Sequence, residues 1–235
     1  MTIIDYYTSL HSDMKSILEK ALQEDNLSDI GTAHSFMSDF GEWLNVLHSR
    51  PEIDILQNAI KGYHIALLSA ILGLYQQAFI GLRFFLERSL AAIYFSSSEI
   101  ELRLWKSNGR DTYWSELIDD DLGVFSKKFC KAFNPTFWDE CSHIKMITQK
   151  VYRECSEYVH ANYNIIDSLP NKIEYSNEHL KSWCDKAQNI RRCVIFAFCL
   201  RYLQILKSDE LKIVEDCVMD EFRSMQCINS YFNKE

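Results

Sequence analysis

The chain has 235 residues, 47% of them hydrophobic and 25% charged, which excludes extended disorder and is enough for one largish domain with a real core. Only 7 Gly and 3 Pro are present, so long helices are favoured over short strands joined by turns. A net charge of -8 excludes an extended basic surface for nonspecific duplex binding, while leaving room for a small, locally basic site.

Apolar residues recur at three- and four-residue spacing almost everywhere, so the predicted elements are helices. The first covers 3–24, with Ile4, Tyr7, Leu10, Met14, Ile17, Leu18 and Leu22 on one stripe. The second covers 32–49, with Phe36, Phe40, Trp43, Leu44 and Leu47. It stops at Arg50-Pro51, because the residue before proline avoids helical geometry. Residues 1–50 are thus expected to form an N-terminal helical extension packed on a bundle built by 51–235, in one continuous domain.

Residues 52–96 are the most hydrophobic part of the chain and divide at Gly73. One helix is predicted to reach Leu72 and another to run from Tyr75 to Phe95, together making an antiparallel hairpin. The second half, QQAFIGLRFFLERSLAAIYF, is apolar nearly all round and is expected to lie centrally. Residues 97–135 are less regular, with loops at Asn108-Gly109 and Asp119–Asp121 and short helices at 99–106 and 122–132. Asn134-Pro135-Thr136 opens a long helix that ends at Ala161. A loop follows over 162–177, with an extended excursion at 172–175. Ser176 caps a helix to Leu206, and Ser208 caps a last one to Cys227. The fold class is therefore all-α, a helical bundle with a central antiparallel hairpin and an irregular insertion.

No hydrophobic run reaches the ~18 residues of a membrane span, and the N-terminus lacks the basic-then-apolar pattern of a secretory signal. The 8 cysteines are scattered singly with no C-x-x-C pair, the usage expected of reduced, buried thiols. A cytoplasmic location without membrane contact is expected. Neither a cofactor nor a metal is called for, since no phosphate loop, dinucleotide fingerprint, nucleophile elbow or zinc-ligand spacing occurs.

The candidate chemistry lies in YRECSEYVHANYN, residues 152–164. Seven residues turn an ideal helix through about 700°, so Arg153 and His160 share a face, with Ser156 and Glu157 between them. Ile144, Ile147, Val151, Cys155 and Tyr158 mark the opposite, apolar side. Such a face can be plain solvated surface with an Arg153–Glu157 ion pair. It can also serve phosphodiester cleavage. RNA carries its own 2′-hydroxyl nucleophile, imidazole supplies acid–base catalysis near neutrality, and a guanidinium meets the charge on phosphate oxygens. Arg83 and Glu87, at i and i+4 in the apolar helix, read either as an internal ion pair or, for Arg83, as a second phosphate ligand beside Arg153. Tyr158 and Tyr163 could stack on bases or pack within the bundle. Arg191, Arg192, Lys181, Lys186 and Arg201 form a modest basic feature, a solvated face or the flank of an RNA path. The other six histidines, His179 among them, read as surface or satisfied core.

With six residues between Arg153 and His160, this stretch resembles the R-x4–6-H motif of the HEPN superfamily. The preceding hairpin ALLSAILGLYQQAFIGLRFFLERSLAAIYF resembles the same kind of helical bundle. The likeness covers about residues 55–162, and leaves the N-terminal helices outside it. It implies a homodimeric, metal-independent endoribonuclease of a toxin–antitoxin or anti-phage system, in which Arg153 contacts phosphate and His160 acts as acid–base. Arg83, Glu87, Ser156, Glu157 and Tyr158 would support them. The implied partners are RNA, a second copy, and an antitoxin or other defence protein. Active members commonly carry Asn, Asp or His directly after the arginine, where this chain has Glu154. The alternative is a noncatalytic helical interaction or sensor subunit of a defence complex.

Overall fold

The computed structural model describes residues 1–232. Twelve α-helices and two 3-10 turns make up its secondary structure, and no strand occurs among the described residues. The all-α expectation holds. α1 (Ile3–Ala21) and α2 (Glu24–Val46) lead into the hairpin of α3 (Ile53–Ile71) and α4 (Tyr75–Phe95). The hairpin turns at Gly73, which sits at φ +76°. An added Cβ there would come 2.7 Å from the Glu174 carbonyl oxygen, so only glycine fits. Gly81 of α4 likewise faces Ala66 of α3 at a distance no side chain could enter, which lets the two helices pack closely.

The irregular insertion holds α5 (Glu99–Lys106), the single turn α6 (Trp114–Leu117) and α7 (Lys127–Phe133). α5 matches its predicted span, whereas α7 starts five residues later than expected. Asp119 explains the delay: its Oδ1 accepts from the backbone N–H of Asp121 and Leu122, and Gly123 packs against the Asp119 backbone. The chain stays in this turn until Ser126 caps α7 through the Phe129 N–H. Arg110 ties the insertion together by pairing with Glu101 and Glu116.

A 3-10 turn, Pro135–Phe137, precedes the long helix α8 (Trp138–His160), as the Asn-Pro-Thr signal leads one to expect. Residues 162–177 depart from expectation. They contain a short helix, α9 (Tyr163–Ser168), and the expected extended excursion forms no strand. Ser176 then caps α10 (Asn177–Tyr202) through the His179 N–H. The helix expected from Ser208 to Cys227 is two, α11 (Ser208–Phe222) and α12 (Gln226–Phe232), separated by a turn. Its N-cap is Lys207 rather than Ser208, and the Glu210 carboxylate accepts from the Lys207 N–H.

α4 and α10 form the centre, with α3 and α2 on one side and α8 on the other. α10 is as enclosed as α4, its residues Cys193–Tyr202 all being buried. Phe36, Phe40 and Trp43 of α2 meet Phe85 and Phe198 in one aromatic cluster, so α2 is a layer of the core. Several enclosed aromatics have their polar tips satisfied: Tyr63 donates to the Ala33 carbonyl, Trp183 to the Ala78 carbonyl and Tyr202 to the Glu52 carboxylate. No described helix is long and apolar enough to cross a membrane.

Candidate functional site

α8 is held along two sides and free along a third. Ile144, Thr148, Val151, Cys155 and Tyr158 are buried, in the period that a helix needs to present one face inward. Asp139 and Glu140 in its first turn and His160 in its last complement the helix dipole. Ala161 ends it in the left-handed region at φ +48°, donating its N–H to the Glu157 carbonyl.

On the α4 side, Tyr158 stacks on Phe79 with ring centroids 4.0 Å apart and planes 19° from parallel. Gln76 donates to the Tyr158 carbonyl at 3.1 Å. Further along, Arg83 donates to the Tyr152 hydroxyl at 2.7 Å, with its guanidinium carbon 4.9 Å from that ring's centroid. Trp114 of the insertion lies flat on the other side of Tyr152, at 3.5 Å and 2°. On the α10 side, Lys186 reaches Glu154 at 3.4 Å. These contacts leave the helix little freedom to roll.

Arg153 and His160 lie on the remaining face and both are exposed. Among the described residues neither side chain makes a hydrogen bond or ion pair within the chain. The rise between them is about 10.5 Å. Glu157 is half-buried between them, and Ser156 returns its hydroxyl to the Tyr152 carbonyl at 2.7 Å.

The supporting residues divide. Tyr158 is a core residue whose burial pushes its hydroxyl pKa up to about 12, and its stacking partner is Phe79 rather than an open surface. Arg83 and Glu87, both half-buried, approach to 3.7 Å. Arg83 is engaged chiefly by Tyr152, roughly a quarter-turn around α8 from Arg153. Tyr163, at the start of α9, is 80% exposed just past His160.

The basic feature on α10 is mostly internal. Arg191 is buried between Asp39 and Glu221, at 3.2 Å from each. Arg201 is buried against Ser96 and the Phe133 ring. Lys186 pairs with Glu154 and lies over Phe79. Neither a solvated face nor an RNA path describes these three. The internal pairing has no signature in the spacing of charges, because Asp39 and Ser96 are distant in sequence.

Two features escape sequence reasoning. Trp114 belongs to a four-residue turn with no periodicity, so nothing in its neighbours announces the stack on Tyr152. Exposed Met146 lies on the outward side of α8, Val159 is exposed at its C-terminal end close to the buried stripe, and Ile166 is exposed on the adjoining α9. Among the described residues, no group of three or more His, Cys, Asp or Glu is arranged to hold a metal ion. Compared with family models, curated proteins and solved structures, the chain matches none of them.

Proposed function

We propose that the outward face of α8 is the working surface of this protein and that it cleaves RNA without a metal, in a site completed by a second copy of the chain. One observation carries the proposal. An arginine and a histidine are displayed on one exposed helical face, with neither head group tied down by the chain, while the helix beneath them is clamped on both sides. Imidazole can take the 2′-hydroxyl proton or protonate the leaving oxygen, and the guanidinium can meet the charge growing on the phosphate. A separation of about 10.5 Å along the axis is long for one scissile phosphate. A second α8 packed face to face would set each Arg153 near the partner copy's imidazole. The resemblance to the HEPN superfamily supports the same reading, under which the protein would act in the cytoplasm as part of a toxin or anti-phage system, restrained by an antitoxin or another defence protein.

A second reading is a noncatalytic interaction subunit. It is favoured by Glu154 and Glu157 beside the pair and by the exposed apolar side chains Met146, Val159 and Ile166 around it. Total RNA incubated in EDTA with wild type, His160→Ala and Arg153→Ala distinguishes the two. Cleavage by wild type that both variants lose, with unchanged circular dichroism, supports the nuclease. Equal background cleavage by all three sinks it and leaves the interaction reading.

A further inference from the structure

Eight free thiols are present, and seven of them are buried. Two of them are in direct contact. Cys130 of α7 and Cys141 of α8 place their sulfur atoms 2.7 Å apart, so a shift of roughly 0.7 Å would reach the length of a disulfide. Neither residue is exposed. The two thiols are inequivalent. Either thiol can donate to the other, and this hydrogen bond holds the Cys130 pKa below the ordinary thiol value and that of Cys141 above it. The direction of these shifts makes Cys130 the sulfur of the pair that ionises first, with Cys141 beside it.

A cleft lies close by, although neither sulfur lines it. It measures about 410 Å³ and opens between the first turn of α8 and α12, lined by Thr136, Asp139, Glu140, Gln226, Cys227 and Ser230. Its wall includes Glu140, the residue next to Cys141. Half-buried Cys227 is near enough for its charge to disfavour a thiolate on Cys141. α12 is a seven-residue helix at the end of the described chain, the kind of element that opens locally at low cost.

We propose that Cys130 and Cys141 are a built-in dithiol site that is oxidised by small hydroperoxides to a disulfide stapling α7 to α8. In the first step the Cys130 sulfur attacks one peroxide oxygen and the O–O bond breaks. The leaving oxygen takes a proton, giving a sulfenic acid and one water when the oxidant is hydrogen peroxide. In the second step the Cys141 sulfur attacks the Cys130 sulfur. The S–OH bond breaks, and the hydroxide leaves with the Cys141 proton as a second water. Two electrons pass from the thiol pair to the peroxide, and two thiols plus one peroxide become one disulfide plus two waters.

Hydrogen peroxide added to the folded chain, followed by alkylation in denaturant and non-reducing tryptic mass spectrometry, tests this. Cleavage at Lys128, Lys131 and Lys145 sets Cys130 in the peptide 129–131 and Cys141 in 132–145. The expected result is a linked 129–131/132–145 pair, 2 Da lighter than its two free peptides, appearing ahead of links among the other six cysteines and lost on reduction. In Cys141→Ala the link is absent, and dimedone captures a sulfenic acid on Cys130 instead. Cys130→Ala, checked for fold by circular dichroism, shows neither. The proposal is overturned if Cys227 alone is oxidised while Cys130 and Cys141 remain alkylatable. It is equally overturned if the link forms only after the chain has been unfolded.

Discussion

Buried charge in this molecule is concentrated where Arg191 of α10 bridges Asp39 of α2 and Glu221 of α11. Burial pushes the Asp39 pKa up, and the Arg191 charge opposes that shift. Removing the arginine alone leaves two carboxylates without their counter-charge. Arg191→Ala is therefore expected to cost about 3–5 kcal/mol in denaturant unfolding. Arg191→Ala combined with Asp39→Asn and Glu221→Gln should recover a good part of it, since no buried charge then remains unpaired. His179 carries a pH dependence of its own. It is enclosed beside Tyr75, with Nδ1 2.9 Å from the Ser176 hydroxyl, and desolvation lowers its pKa while Glu178 pulls the other way. A histidine whose folded pKa lies below its unfolded value gives stability that is complete above the unfolded value, about 6.5, and is lost as pH falls toward the folded one. Wild type should lose stability on going from pH 7 to pH 5, and His179→Gln should lack that part of the loss. Identical pH profiles for the two proteins would refute the assignment.

Two backbone positions in the left-handed region make opposite predictions at the level of elements. Gly73 turns the α3–α4 hairpin at φ +76°, with no room for a Cβ beneath Glu174. Gly73→Ala should destabilise by about 1–2 kcal/mol, because strain in φ adds to the close contact. Ala161 ends α8 at φ +48° with a side chain already present. Ala161→Gly should instead stabilise by up to about 1 kcal/mol, measured by thermal or denaturant unfolding. The hairpin was legible in the sequence because Gly73 interrupts a long apolar run and only a tight turn reconciles the two. The body of α2 was legible too, but its first turns over 24–31 were not, since Asn26, Ser28 and Gly31 are weak helix formers. Asn26 is held by a long-range hydrogen bond to Tyr175, and Ile30 and Ala33 are buried by packing, neither of which a local pattern can reveal. α9 was missed for a similar reason. It buries no residue fully, and Ile165 and Leu169 only lean on the core from outside.

At the scale of the whole molecule, the azimuth of Arg153 and His160 followed from helical arithmetic alone, and the structure sets their face opposite the buried stripe. What the sequence could not supply is a partner for their head groups, and among the described residues neither makes a hydrogen bond or ion pair within the chain. The charge distribution then constrains how RNA could be held. The net charge is -8, and Arg191, Arg201 and Lys186 are paired or buried inside the fold, so no long basic track exists around them to follow a phosphate backbone. A site completed by a second copy would rest mainly on the two Arg153 side chains, each neutralising about one phosphate. Each such contact with a single strand contributes a slope of about -0.7 to the logarithm of affinity against the logarithm of salt concentration. The expected slope for wild type is thus about -1.4, measured with single-stranded RNA and His160→Ala to prevent turnover. Adding Arg153→Ala should bring it close to zero. A slope several times steeper, unchanged by that substitution, would locate the nucleic-acid surface elsewhere on the molecule and remove α8 from the mechanism.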